Sequence, residues 1–223
     1  MNAHLVAVDT TAEFGSLALL EGDRILGEVL LYSPEGFGHI LFHHLERLLA
    51  RYSLSLAEID CFAVAGGPGA FTGVRVGLAA VKGLAEATSR PAVAVSNLKA
   101  LAWFGRARLR ATFLDARRGE IYGAVYDHGL ELVQPEVVTR FPEWLRSLPE
   151  TDFEFITTDF SPYRAAVAGT RFEPVPATLA PRALAGAVGL IAERLYREGR
   201  ASDPAVLDAN YVRRSDAELA WRE

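Results

Sequence analysis

The two halves of this 223-residue sequence spell out the same order of elements, and each half closes its first apolar strand with an aspartate. Leu5-Val6-Ala7-Val8-Asp9 opens the first half and Ala111-Thr112-Phe113-Leu114-Asp115 the second. In the first half, residues 5–9, 15–20 and 25–32 alternate or run apolar. Turn signals such as Glu21-Gly22-Asp23 part them, which predicts a three-strand antiparallel meander. A helix follows over 39–52, where Ile40, Leu41, Leu45, Leu48 and Leu49 share one stripe. Then come a strand over 61–65, a helix over 72–88, a strand over 92–95 and a helix over 97–104. The second half restarts with strands near 111–115, 120–127 and 130–138, turned at Asp127-His128-Gly129. A helix near 141–148 follows, with Pro142 where its missing N–H costs little, then a strand over 153–157. A short helix over 161–168, a strand near 171–175 and a long helix over 181–198 complete the half.

A strand-strand-strand-helix-strand-helix unit used twice predicts an α/β fold of two actin-like, ribonuclease H-like lobes. The lobes are expected at 1–106 and 107–223, with the last helix able to pack back on the first lobe. Half of the residues are apolar, enough for a sizeable core, and no apolar run approaches the roughly 18–20 residues of a membrane span. The opening residues do not form a signal peptide, so a cytoplasmic protein is expected. The single cysteine, Cys61, excludes an intrachain disulfide and sits in an apolar run where packing accounts for it. A formal net charge of −5 argues against a protein that holds nucleic acid by itself. Any basic patch would draw on Arg106, Arg108, Arg110, Arg117 and Arg118.

The segment Gly66-Gly67-Pro68-Gly69-Ala70-Phe71-Thr72-Gly73-Val74-Arg75-Val76-Gly77 carries the most specific signal. Its glycines permit a tight loop, and Thr72 can cap the helix that follows. A loop meeting a helix start can bind an anion or serve as a structural turn. No Gly-Lys-Ser/Thr follows, so it is not a P-loop. Together with Val8-Asp9-Thr10, Asp115-Ala116-Arg117-Arg118-Gly119-Glu120-Ile121-Tyr122 and Asn210-Tyr211-Val212-Arg213, this segment resembles the TsaB (YeaZ) family over essentially the whole chain. The resemblance implies a subunit of the machinery that makes threonylcarbamoyladenosine beside the tRNA anticodon. Its implied partners are a TsaD-type transferase and a TsaE-type ATPase. It also implies a possible homodimer through the helices of the first lobe, and no tRNA binding by the chain alone.

The related transferases carry a metal-binding His-x-x-x-His after the strand matching 91–95, and here the corresponding positions are Asn97 and Leu101. Leucine has no donor atom, and an amide is a poor replacement for imidazole. A separate His39, His43 and His44 group has helical spacing but lacks the glutamate of a hydrolase motif and a clear third ligand. Asp9, Thr10, Gly67 and Gly69 are the candidate remnants of a nucleotide site. Against them stand the bulky Arg117 and Arg118 in the second half, where small residues would let backbone approach phosphate. A non-catalytic partner without a cofactor or metal is therefore expected. The competing reading is an actin-like ATP-dependent kinase or a glycoprotease-like metallohydrolase.

The helix from Thr72 carries polar Arg75, Lys82 and Glu86 on a narrow stripe and is otherwise small or apolar. Gly73, Gly77 and Gly83 within it call for close packing, inside the lobe or against another chain. With the resemblance, this makes Leu41, Leu45, Leu48, Val74, Leu78 and Val81 the candidates for a partner contact.

Overall fold

The structure, a computed structural model, describes residues 2–150 and 152–212. Arg213, the last residue of the Asn210 motif, lies outside them. The first half builds β1 (His4–Asp9), β2 (Phe14–Glu21), β3 (Arg24–Tyr32), α1 (Leu41–Arg51), β4 (Cys61–Ala65), α2 (Phe71–Thr88), β5 (Ala92–Val95) and α3 (Asn97–Ala102). The second builds β6 (Leu109–Arg117), β7 (Glu120–Asp127), β8 (Leu132–Arg140), α4 (Phe141–Ser147), β9 (Phe153–Thr157), α5 (Arg164–Val167), β10 (Ala177–Leu179) and α6 (Ala185–Arg197).

The duplication is explicit in the sheets. Their strand orders are β3-β2-β1-β4-β5 and β10-β9-β6-β7-β8, the same order read from opposite ends. In each, an antiparallel meander is extended by a parallel strand beside its first member: β4 on β1 and β9 on β6. This is the ribonuclease H-like arrangement, present twice.

Contacts gather the described residues up to Asn97 with Arg182–Asn210 into one unit. Its sheet is covered on both faces. Val6, Val8, Leu17 and Leu19 join Leu41, Leu45 and Leu48 of α1 and Val74, Leu78 and Val81 of α2 in one core. On the other face α6 crosses β1, β2, β4 and β5, although the second unit separates it from them in sequence. Gly189 makes that crossing close: a Cβ there would lie 2.3 Å from Leu20 Cδ1 and 3.2 Å from Ala7 Cβ. Glycine inside this helix, unfavourable by propensity, is thus compensated by packing on the sheet.

Leu98–Pro181 form the other unit, whose core is aromatic. Phe113 on β6 has ring centroids of Phe141, Trp144, Phe155, Phe160 and Tyr163 within 5.0–6.2 Å. Gly123 on β7 leaves room for this cluster, since its Cβ would lie 2.7 Å from Trp144 Cε2. The strand expected near 171–175 is instead a run of turns, and β10 begins at Ala177. Phe172 drops into the core from a turn, while the Pro176 carbonyl accepts the Phe155 N–H and starts the parallel pairing with β9.

Candidate functional site

The aspartates of the corresponding strands β1 and β6 have opposite surroundings, and Asp115 does not close its strand as expected, because β6 runs on to Arg117. Asp9 is 1% exposed, and its Oδ1 accepts the Thr11 N–H at 2.9 Å and the Thr11 hydroxyl at 2.6 Å. Burial pushes the Asp9 carboxyl pKa up, against the opposing effect of hydrogen bonds from Thr11 and Asn97. Asp115, by contrast, has a side chain 54% exposed and lies 3.6 Å from the Arg117 guanidinium. Its Oδ1 accepts the Arg117 N–H at 2.8 Å. The turn it introduces runs through three left-handed residues, Arg117, Arg118 and Gly119, at φ of 64°, 58° and 76°. Both arginines thus occupy a conformation that costs L-residues roughly 1–2 kcal/mol each.

Asp9 stands in a polar network that ties the β1 end to the glycine-rich segment. Asn97 Nδ2 donates to Thr11 Oγ1 at 2.6 Å, and Asn97 Oδ1 accepts the Gly67 N–H at 2.9 Å. The Asn97 N–H donates in turn to the Gly67 carbonyl at 2.8 Å. Gly66 N–H donates to the Val95 carbonyl and Ala70 N–H to the Thr11 carbonyl, at 2.8 and 2.7 Å. Asn210 closes the segment from its far side, its N–H donating to the Gly66 carbonyl at 2.8 Å and its side-chain amide to the Gly67 carbonyl at 3.4 Å. The N–H groups of Gly66, Gly67 and Ala70, which an anion would need, are all bonded within the unit.

Close approach explains the glycines. A Cβ on Gly73 would stand 2.0 Å from the Thr10 carbonyl oxygen, and one on Gly69 would stand 2.6 Å from that of Thr11. Thr10 Oγ1 donates to the Gly73 carbonyl at 2.7 Å, and a Gly77 Cβ would meet that same hydroxyl at 2.6 Å. The start of α2 is therefore pressed onto the Thr10-Thr11 backbone. Its N-cap is Ala70, with no side-chain cap, rather than the expected Thr72. The bond from Ala70 to Thr11 places the helix start earlier than local sequence suggested.

Side chains of the meander cap α6. Ser16 Oγ, on the residue opposite Asp9, accepts the N–H groups of Leu184 and Ala185 at 3.2 and 3.0 Å. Glu28 Oε1 accepts that of Gly186 at 2.7 Å. Burial raises the Glu28 carboxyl pKa, the Gly186 hydrogen bond opposes this, and the charge of Asp9 adds to the rise.

Of the residues singled out in the sequence, Asp9, Thr10, Gly67 and Gly69 come together in this network. His39 and His43 are exposed, with His44 half-buried on α1. Among the described residues no group of three or more His, Cys, Asp or Glu side chains is arranged to hold a metal. Leu101 is fully buried, and burial pushes the Cys61 thiol up to about 12, so it is not a thiolate at neutral pH. Arg110, at the start of β6, and Arg117, at its end, are seven residues apart, or about 23 Å at 3.3 Å per residue. The five arginines are two groups rather than one patch.

All six apolar candidates for a partner contact are buried in the first unit's core, Leu45 at 3% and Leu78 at 7% exposure. The outward positions of the same helices carry Phe42, 52% exposed, and Phe71, 44% exposed. The Arg75 guanidinium lies 3.7 Å from the Phe71 ring centroid. Sequence reasoning did not reach the roles of Thr11, Ser16 and Glu28. The Asp9-Thr10-Thr11 turn had a local signal in its Asp and Thr spacing, whereas the partners of Ser16 and Glu28 lie more than 150 residues away.

A family model described as TsaD: tRNA N6-adenosine threonylcarbamoyltransferase matches residues 37–221. Over 230 aligned residues the chain is 31% identical to the tRNA threonylcarbamoyladenosine biosynthesis protein TsaB of Bacillus subtilis, covering 98% of each chain. The chain belongs to the TsaB (YeaZ) family. The TsaB of Escherichia coli is 34% identical over 149 residues, 60% of this chain and 64% of that protein. A solved structure described as YeaZ from Pseudomonas aeruginosa superposes with a TM-score of 0.77 at 27% identity, covering 94% of this chain and 99% of that one. Another, described as an uncharacterized protein with similarity to peptidase YEAZ from the same organism, reaches 0.80 at 28%, covering 95% and 100%. In this TsaB-family chain, then, the Asp9 network and the glycine-rich segment belong to a protein of threonylcarbamoyladenosine biosynthesis. No helix among the described residues is long and apolar enough to cross a membrane.

Proposed function

We propose that the chain is a non-catalytic, cytoplasmic subunit that supports a TsaD-type transferase, together with a TsaE-type ATPase, in modifying tRNA. The observation that carries this reading is the use made of Asn97. The resemblance matches it to a metal ligand of the transferases, yet both ends of its amide are committed to Gly67 and Thr11. Its companion position is Leu101, which offers no donor. Asp9 supports the same reading, since its carboxylate is bonded to Thr11 and enclosed.

The partner surface is proposed on the outward sides of α1 and α2, with Phe42 and the Phe71–Arg75 pair at its centre, and a homodimer would use the same face. Aromatic and arginine side chains are the types that most often anchor such contacts. Co-purification of the chain with a TsaD-type protein, alongside ATP turnover and metal content of the chain alone, tests the reading. A stable complex with an inert isolated chain is expected. Enzyme-like turnover abolished by Asp9→Ala, or a tightly held metal lost with His39→Ala, would favour the kinase or metallohydrolase instead.

A further inference from the structure

We propose that the loop joining α3 to β6, which presents Trp103, Arg106 and Arg108, is a contact for single-stranded RNA in the tRNA substrate. This rests on the reading of the chain as part of a tRNA-modifying assembly.

The three side chains are exposed, Trp103 at 41%, on a segment of six residues in the second unit. Among the described residues neither the Arg106 nor the Arg108 guanidinium takes part in an ion pair, whereas Arg117 at the other end of β6 is paired with Asp115. The loop backbone is held firmly. Glu154 on β9 is 5% exposed, and its Oε1 accepts the N–H groups of Arg106 and Ala107, the latter at 2.6 Å. Its Oε2 accepts the Thr178 hydroxyl at 2.7 Å. Arg110 braces the loop from within: its Nη1 donates to the Ala102 carbonyl at 3.0 Å, and a Cβ on Gly105 would lie 2.8 Å from its Cδ. The Arg110 Nε is buried with no partner, an orphaned donor beneath the same loop.

A buried carboxylate and a half-buried arginine thus fix a backbone whose outward chemistry is one indole and two guanidinium groups without an ion pair among the described residues. An aromatic face beside unpaired cations matches nucleotides, which offer a base to stack and a phosphate to pair. An acidic protein surface would use the cations and leave the indole without its complement. The chain's net charge of −5 fits a contact that adds to binding made elsewhere in the assembly rather than one that holds RNA by itself.

The test uses the full chain assembled with its TsaD-type partner, and an anticodon-arm RNA as probe. For Arg106→Ala with Arg108→Ala, the slope of log affinity against log salt should become shallower by about 1.4, at roughly 0.7 per single-strand phosphate. Trp103→Ala should weaken RNA binding about tenfold, the scale of one lost base stack. Ultraviolet cross-linking should place the RNA on the 103–108 peptide, while melting and association with the partner stay unchanged. Unaltered RNA affinity and salt slope in an intact assembly would overturn the proposal. So would variants that lose the protein partner while cross-linking finds no RNA on the loop, which would make it a protein contact. If the wild-type chain forms no tRNA-modifying assembly, the functional reading fails and this inference with it.

Discussion

Asn97 and Gly67 are hydrogen-bonded in both directions: the Gly67 N–H donates to Asn97 Oδ1 at 2.9 Å, and the Asn97 N–H returns to the Gly67 carbonyl at 2.8 Å. This reciprocal pair fastens the glycine-rich segment to the start of α3. The same amide reaches Thr11 and through it Asp9. Asn97→Ala should therefore strand the buried Gly67 N–H, while the Thr11 hydroxyl keeps its bond to Asp9. At about 1–3 kcal/mol for an unsatisfied buried group, melting should fall by several degrees. Asn97→His should also destabilise and should not confer zinc binding, because Leu101 supplies no second ligand. Thermal melting and metal analysis of both variants check this.

Gly73 and Gly83 lie on the same helix and should respond oppositely to alanine. A Gly73 Cβ would overlap the Thr10 carbonyl at 2.0 Å, backbone against backbone, whereas a Gly83 Cβ meets nothing within 4 Å. Gly73→Ala should cost at least the upper end of the roughly 1–3 kcal/mol range for overpacking. Gly83→Ala should gain about 1 kcal/mol from helix propensity, since the site is exposed. Denaturant titration of both variants measures the difference.

Much of the fold is legible in the sequence because its strands have period 2 and its helices period 3.6, and because Asp9 and Asp115 mark corresponding strands, although β6 runs two residues past Asp115. The direction of the leucine stripe in 41–49 was not legible. Small apolar residues over most of α2, outside the Arg75, Lys82 and Glu86 stripe, leave two faces available, and only the packed sheet shows that Leu45, Leu78 and Val81 point inward. The start of α2 at Phe71 rather than at Thr72 has a related reason: the Ala70 N–H donates to the Thr11 carbonyl, far away in sequence. The capping of α6 by Ser16 and Glu28 likewise leaves no local pattern.

That inward packing predicts a contrast between core and surface variants. Leu45→Arg or Leu78→Arg should lower melting sharply, since each places an unpaired charge in the core. Phe42→Ala and Phe71→Ala should leave melting nearly unchanged and weaken association with the partner, by about 2 kcal/mol or more if either is an anchor. Melting curves read alongside titration with a TsaD-type protein separate the two effects.

Asp9 and Glu154 should give opposite pH signatures. Burial raises the Asp9 pKa in the folded chain, so the native state holds the proton more tightly than the unfolded chain does. Stability from this group is greatest below the ordinary aspartate pKa and is lost as pH rises through the raised folded value. Asp9→Asn should stabilise near neutral pH, with the gain vanishing in acid. For Glu154, burial alone would raise the pKa. Hydrogen bonds from Ala107, Thr178 and Arg106, with the charge of Arg110, hold it below the usual range. Its stabilisation is present above the ordinary glutamate pKa and lost as pH falls through the lowered folded value, so Glu154→Gln should destabilise near neutral pH and matter less in acid. Melting of each variant across pH 3–8 checks both signs.

The most direct measurement is threonylcarbamoyladenosine formation on tRNA in a reaction reconstituted from a TsaD-type transferase, a TsaE-type ATPase, ATP and an activated threonylcarbamoyl donor, without the chain, with it, and with its Asp9→Asn variant. The account predicts modification that depends on the chain and persists with Asp9→Asn, because the chain contributes a surface rather than a reacting group. Modification at full rate without the chain would contradict it. So would loss of modification by a folded Asp9→Asn chain that still binds the transferase, since Asp9 would then take part in the chemistry.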